Sequence, residues 1–491
     1  MFWSNALRHS IMPFVAALVF VLSGCTTQKD TGKVPITTSS EEAKKEFLRG
    51  RELAEAIRPR ESTEAYLRAV ALDSNFAMAH LNLAGGTLSA KESFAHLMKA
   101  IALAGNVSEG EKLIILAAEA GLNNDLAKQQ QCYDRLIAAF PNDERVLYMV
   151  GDFHSGRREY AKAIEYLKKA TELAPQFALP NNSLGYSYSG MKNYAESEKA
   201  FKKYAELVPD NPNPLDSYAE LLMKTGKFDE SIATYRKALE KDPHFYFSHL
   251  GIAANYLYKE KPDDAEAQLK KMYESAPDDF TRRNALFGLM TVYVDGGKWE
   301  LALAEVEKQY AMGEKAGDNI QMVSSLWTRA DILRWMGKYD EAFAMYKKVT
   351  EIVETGDYPE AIKENTRRGF HNSAARVLAL KKKFAEAERE ADAYRADMEA
   401  LKDPSSIKAA HALTGVIALE QKRYDKALLE LGQADQEGVS VLYRTALAYL
   451  GKNDRPKAKE LLTTVVQWNP ALSLDYAFIR QKAVKMLGTL Q

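Results

Sequence analysis

The chain has little cysteine, no surplus of either charge and no apolar run long enough to cross a bilayer. Two cysteines, Cys25 and Cys132, cannot build a disulfide framework in 491 residues. Lys and Arg number 66 against 67 Asp and Glu, so the basic excess of a general nucleic-acid binder is missing. Tryptophan is scarce, at five, and one of these is Trp3 at the extreme N-terminus. Catalytic signatures are absent as well. There is no HExxH or paired-cysteine pattern to hold a metal, no GxSxG, and no Walker-type or dinucleotide glycine pattern. The eight histidines are scattered; His244 and His249 are the closest pair, and a spacing of five does not place two ligands on one helix face. These absences lead to the expectation of a non-catalytic protein without metal or cofactor.

What is present begins with a targeting pattern. Arg8 precedes an apolar run from Ile11 to Leu22, interrupted by Pro13 and too short to span a bilayer comfortably. The run closes on Leu22-Ser23-Gly24-Cys25, which resembles the lipobox of bacterial lipoprotein signal peptides at all four positions. That resemblance implies that residues 1–24 are removed and that Cys25 carries palmitate-type acyl chains, the several hydrophobic signals that stable anchoring needs. Thr26 and Thr27 stand where an aspartate often marks inner-membrane retention in that family, so the resemblance points to the outer membrane, facing the periplasm. An ordinary secretory signal with a chance cysteine is the alternative. Residues 25–42 carry one weak apolar pair and no periodicity, and are expected to be a flexible tether. Cys132, beside Tyr133 and near Leu136, is expected to be a buried helix residue.

The remainder is repetitive. Prolines stand at Pro141, Pro175, Pro209, Pro243 and Pro277, four successive intervals of 34. Ala163, Ser197, Ser231 and Ala265 keep the same interval, as do the bulky Leu167, Phe201, Tyr235 and Leu269, and the small Gly151, Gly185, Ala219 and Ala253. Small residues such as Gly185 and Ser197 would let two helices of one unit approach; large ones such as Tyr188 and Phe201 would fill the space toward the next unit. A proline lacks an N–H and disfavours helix in the residue before it, so each would close a unit's second helix. A 34-residue two-helix unit resembles the tetratricopeptide repeat strongly. The turn pattern recurs as GKFDES at 226–231, GKWELA at 297–302, GKYDEA at 337–342, KKFAEA at 382–387 and KRYDKA at 422–427, at longer and unequal spacings. The resemblance implies an all-α, right-handed superhelical solenoid of about eleven units. The regular array is assigned to residues 43–280, with strict 34-residue units from about 144. A second array with longer repeats occupies 281–491 and ends in a capping helix over 474–487.

In this family the first helix of each unit lines the concave face, two positions four residues apart pointing inward. Carried onto three regular units, the resemblance selects Tyr148 and Asp152, Asn182 and Tyr186, Asp216 and Glu220. Both columns repeat at 34, so the six could stack into one groove for an extended, basic or polar segment of a partner protein. The bland reading of Asp216 is a first-turn charge complementing the helix dipole behind an Asn213-Pro214 cap. The acidic pairs in GKFDES and GKYDEA read as solvated caps, and His154 as a packing residue. A second candidate surface is Trp327, Asp331, Arg334 and Trp335, with Trp335 read as packing between repeats. Two functions compatible with this pattern are a lipid-anchored protein scaffold in envelope or secretion-machinery assembly, and a glycan- or small-molecule receptor partnering an outer-membrane transporter. No nucleic-acid partner is expected.

Overall fold

The computed structural model describes residues 32–86, 89–123, 125–358, 360–401 and 403–490. The leader expected over 1–24, Cys25 as the expected lipidation site and the start of the expected tether lie outside them. Among the described residues all regular structure is helical. Consecutive helices pair into antiparallel hairpins, from Glu41–Glu55 with Pro59–Leu72 through to Val439–Gly451 with Arg455–Val466. Among the described residues there are twelve such hairpins, one more than the proline and turn columns suggest.

The sequence columns explain the hairpin. The second helices of the regular units end at Ala139, Leu173, Leu207, Lys241 and Glu274, two or three residues before each proline of the 34-residue series. Between the two helices the chain turns through one left-handed residue: Arg158, Lys192, Gly226, Glu260, Gly297, Gly337, Lys382, Lys422 and Asn453 in successive units. The following N–H then reaches back to a carbonyl five residues earlier, as in Lys227 N to Leu222 O at 2.9 Å and Lys338 N to Leu333 O at 2.9 Å. This satisfies an orphan carbonyl at the end of the first helix. Glycine takes that position without steric cost, and the lysines and Arg158 hold it at a penalty.

Close approach within a hairpin depends on the small columns. A Cβ on Gly185 would lie 2.4 Å from the Phe201 ring, and one on Gly151 would lie 2.7 Å from Leu167. The bulky column therefore covers the small residue of its own hairpin, where the sequence suggested it would fill the gap to the next. Ser197 Oγ donates to the Gly185 carbonyl at 2.7 Å, and Ser231 Oγ to the Ala219 carbonyl at the same distance. The hydroxyls in this column thus find backbone acceptors in a space too tight for water. Cys132 is buried in the helix Leu126–Ala139, and burial pushes its thiol pKa up.

Successive first helices touch one another, so they form the inner layer, and the second helices form the outer one. The solenoid also folds back on itself. Arg157 and Arg158, at the turn of the fourth hairpin, reach Asp403 at 3.2 Å and Asp435 at 2.7 Å. Arg60 faces Asp278 at 3.6 Å, and the Lys91 N–H donates to Asp318 at 3.4 Å.

Both ends depart from expectation. The tether assigned to 25–42 does not extend through its described part. Val34 N donates to Asp143 at 2.8 Å, Thr37 N to Glu111 at 2.8 Å, and Thr38 Oγ1 to Asp73 at 2.6 Å. Val34 and Ile36 pack on two core clusters, and Ser40 caps the first helix. Three carboxylates spread over 70 residues hold this segment, a pattern no local window reveals. The closing helix expected over 474–487 is interrupted: Leu474–Ala477 precedes Arg480–Gly488. The break inserts Phe478 and Ile479 into a core shared with Tyr293, Tyr443 and Leu462. Arg480 then pairs with the buried Asp295 through two bonds of 2.7 and 2.6 Å. The cap thus locks onto the eighth hairpin as well as covering the twelfth.

Candidate functional site

The six residues selected from sequence lie on the first helices Glu144–Gly156, Leu179–Gly190 and Asn213–Lys224, and the fold brings neighbouring pairs together. Tyr186 Oη donates to Glu220 Oε2 at 2.9 Å and lies 3.3 Å from Ser217 Oγ. Ser183 Oγ donates to Asp152 at 3.1 Å, and Ser248 Oγ donates to Asp216 at 2.7 Å. The stacking that the 34-residue period implied is a hydrogen-bonded ladder from one first helix to the next. Tyr148 meets the ladder at Ser183, beside Asp152, and its ring lies edge-on to Phe177 at 5.4 Å. Asp152 is exposed, Asn182 half-buried, and Asp216 buried.

Burial governs the ladder's charges. Asp216 is pushed up to about 7, chiefly by burial and against the bond from Ser248, with Glu220 adding repulsion. Burial raises Glu220 as well. Asp216 is therefore not the dipole-complementing cap its first-turn position implied. It reaches across to the next unit, while Asn211 Oδ1 accepts from Asn213 N at 2.8 Å, so Asn213 is not the cap either. The acidic turn residues do face water: Asp229 pairs with Lys259, Asp340 with Lys381 and Asp425 with Lys452, a ladder of exposed ion pairs of small energetic weight. His154 is buried, stacked on Tyr166 and bonded to Glu159 at 2.7 Å.

The second surface lies on the inner face of the C-terminal hairpins. Tyr346 Oη donates to Asp331 at 2.7 Å, Arg334 donates to the same carboxylate at 2.9 Å, and Trp327 packs on Tyr346. Trp335 stacks on Phe478 at 5.1 Å, so it packs against the cap. Trp327, Asp331, Arg334, Trp335 and Phe478 border a cavity of about 930 Å³, which Arg368, Arg376 and Arg444 also line. None of these three arginines is among the residues selected from the sequence. Arg334, Arg376 and Arg444 stand three, six and nine residues before the left-handed turn residues Gly337, Lys382 and Asn453. They form a diagonal across unequal repeats, which a search for columns passes over. A further pocket of about 730 Å³ opens where the first hairpin's turn meets the proline edge at Pro209, Pro212 and Pro277.

Among the described residues no group of three or more His, Cys, Asp or Glu side chains could hold a metal ion. No described helix is long and apolar enough to cross a membrane.

Comparison with known proteins agrees with the hairpin geometry. Tetratricopeptide-repeat models match residues 144–177, and then 182–244 and 219–280. Those segments are tetratricopeptide repeats, and the whole described chain is an all-helical solenoid of that kind. No curated protein matches. Among solved structures, a tetratricopeptide repeat protein from Parabacteroides merdae is 14% identical, covering 58% of this chain and 99% of its own, with a TM-score of 0.36. The Cut9–Hcn1 structure, from the hetero-tetramer of the APC/C, is 15% identical over 91% of this chain and 76% of its own, with a TM-score of 0.42. PilF of Pseudomonas aeruginosa is 18% identical over 50% and 96%, with a TM-score of 0.28.

Proposed function

We propose that this chain is a non-catalytic scaffold that holds an extended segment of a protein partner along its inner face, tethered through lipid on Cys25 to the outer membrane and facing the periplasm. In this reading it serves the assembly of envelope or secretion machinery. Tetratricopeptide-repeat proteins generally mediate protein–protein interactions, and the observation that carries the reading here is the Tyr186–Glu220 and Ser183–Asp152 ladder. With Asn182 beside it, the ladder sets aromatic, amide and acidic groups at one period along the inner surface, chemistry that suits a peptide with basic side chains. The anchor is supported by Leu22-Ser23-Gly24-Cys25 alone.

The groove is tested by Tyr186→Ala combined with Glu220→Lys. Truncating an aromatic anchor costs about 2 kcal/mol or more in an interface, and the reversed charge repels a basic segment. A lysine at 220 can pair with Asp216, so the fold should persist. Crosslinking pull-downs from solubilised envelopes should lose the partner while helical circular dichroism is unchanged. Recovery of the same partners with both proteins would move the binding surface elsewhere. For the anchor, metabolic palmitate labelling should mark the wild type and spare Cys25→Ala; equal labelling would remove lipidation from the reading.

A further inference from the structure

The C-terminal half of the inner face concentrates cationic groups that the protein itself leaves largely unneutralised. Arg334, Arg376 and Arg444 come from three first helices, Asn319–Trp335, Glu360–Leu380 and Val439–Gly451, and all border the 930 Å³ cavity. All three also border a smaller pocket of about 240 Å³ on their other side, where Lys482 stands with its ammonium 4.0 Å from the Trp335 ring. Their bonds to protein are few. Arg334 donates to Asp331 at 2.9 Å and to Tyr346 Oη at 3.4 Å; Arg376 donates to the Asn372 side chain at 2.7 Å; Arg444 donates to the Ser440 carbonyl at 3.0 Å. Among the described residues neither Arg376 nor Arg444 forms an ion pair with a carboxylate within 4 Å. Asp475 borders the cavity and Glu420 the smaller pocket, and those with Asp331 are the acidic residues lining either space.

Like charges converging in a half-buried space are costly, because burial removes the water that would screen them. The cost falls on Arg376, Arg444 and Lys482, whereas Arg334, against its burial, is held up by Tyr346 and Asp331. Burial, then the charges of Arg376 and Arg334, push Arg444 down to about 9; burial, then Arg334, lower Arg376; and burial with Arg334 lowers Lys482. A fold keeps such an arrangement cheaply when a counter-charge enters it. Guanidinium groups offer paired N–H donors that match the oxygens of phosphoryl and carboxylate groups. The cavity volume lies in the range of small-molecule sites, and Trp327, Trp335 and Phe478 wall it.

We propose that this cavity is a binding site for a compact polyanion bearing phosphoryl or carboxylate groups, held by Arg334, Arg376 and Arg444. The site is separate from the Tyr186–Glu220 ladder and stands or falls independently of the partner reading.

The test is titration calorimetry of the full chain at low ionic strength with two probes, pyrophosphate and citrate, and with glucose as a neutral control. Saturable binding of either anion, absent with glucose, is expected. Tighter binding of pyrophosphate assigns a phosphoryl ligand, and tighter binding of citrate a carboxylate one. Arg376→Gln with Arg444→Gln should weaken the preferred anion at least tenfold. Because those substitutions relieve repulsion, the unliganded variant should melt no lower than the wild type. Asp475→Asn supplies a gain that misfolding cannot imitate: removing the opposing carboxylate should tighten binding severalfold. Absence of saturable binding to both anions overturns the proposal. So does undiminished affinity in the double glutamine variant, or weaker binding in Asp475→Asn.

Discussion

Replacing Asp216 with asparagine should stabilise this protein at neutral and alkaline pH and flatten its pH dependence. Asp216 is 7% exposed, accepts one bond from Ser248, and faces Glu220 one turn along its helix. Its pKa stands at about 7 in the folded chain against an ordinary value of 3.8. An acid raised in this way binds more protons folded than unfolded. Stability is therefore full below about pH 4, falls as pH rises from there to about 7, and is level above. At about 1.4 kcal/mol per unit, the loss attributable to Asp216 between pH 5 and pH 8 is about 2–3 kcal/mol. Asparagine keeps the oxygen that accepts from Ser248 and has no charge to bury, so the variant should escape that loss. Glu220 titrates upward for the same reason and remains in both proteins, as does His249, whose pKa is lowered by burial. The difference between wild type and variant isolates Asp216. Solenoids can unfold in parts, so the assay is hydrogen exchange over Asn213–Lys224 and Tyr246–Tyr258 at pH 5 and pH 8, with urea melts alongside. Identical pH slopes in the two proteins, or a variant less protected at pH 8, would refute the reasoning.

Gly185→Ala should cost about 1–3 kcal/mol, because its Cβ would meet the buried Phe201 ring at 2.4 Å; an unchanged urea midpoint would show that the ring moves freely. Arg480→Ala leaves Asp295 buried without its bidentate partner and should cost about 3–5 kcal/mol, read as early proteolysis of the C-terminal cap; the same digestion pattern as wild type would show the cap is held by its apolar residues alone. At the hairpin turn, Gly337→Ala keeps open space around the new Cβ but puts alanine at φ +81°, so about 1 kcal/mol should be lost and seen as a lower melting temperature. Breaking a second helix with Ala238→Pro should cost about 3 kcal/mol locally; exchange should rise over 200–280 while 370–470 stays protected, and uniform loss would mean one cooperative core.

The hairpin architecture was legible in the sequence because a solenoid encodes it locally. Each unit packs against itself and its neighbours, so Gly185 under Phe201 and Ser197 on the Gly185 carbonyl recur at one period and show as columns. The inner-face ladder was legible for the same reason, since Tyr186 meets Glu220 one repeat later. Its burial was not, because no column states how closely the first helices approach. What only the tertiary structure decided involves residues far apart and out of register. The segment from Val34 to Ser39 docks on Asp73, Glu111 and Asp143; Arg157 meets Asp403 across 246 positions; Arg480 meets Asp295 across 185. The arginines of the C-terminal cavity belong with these. Unequal repeats shift each of them about one helical turn further from its hairpin turn. Superhelical winding, a sum of small rotations from unit to unit, is what brings their charges to one place.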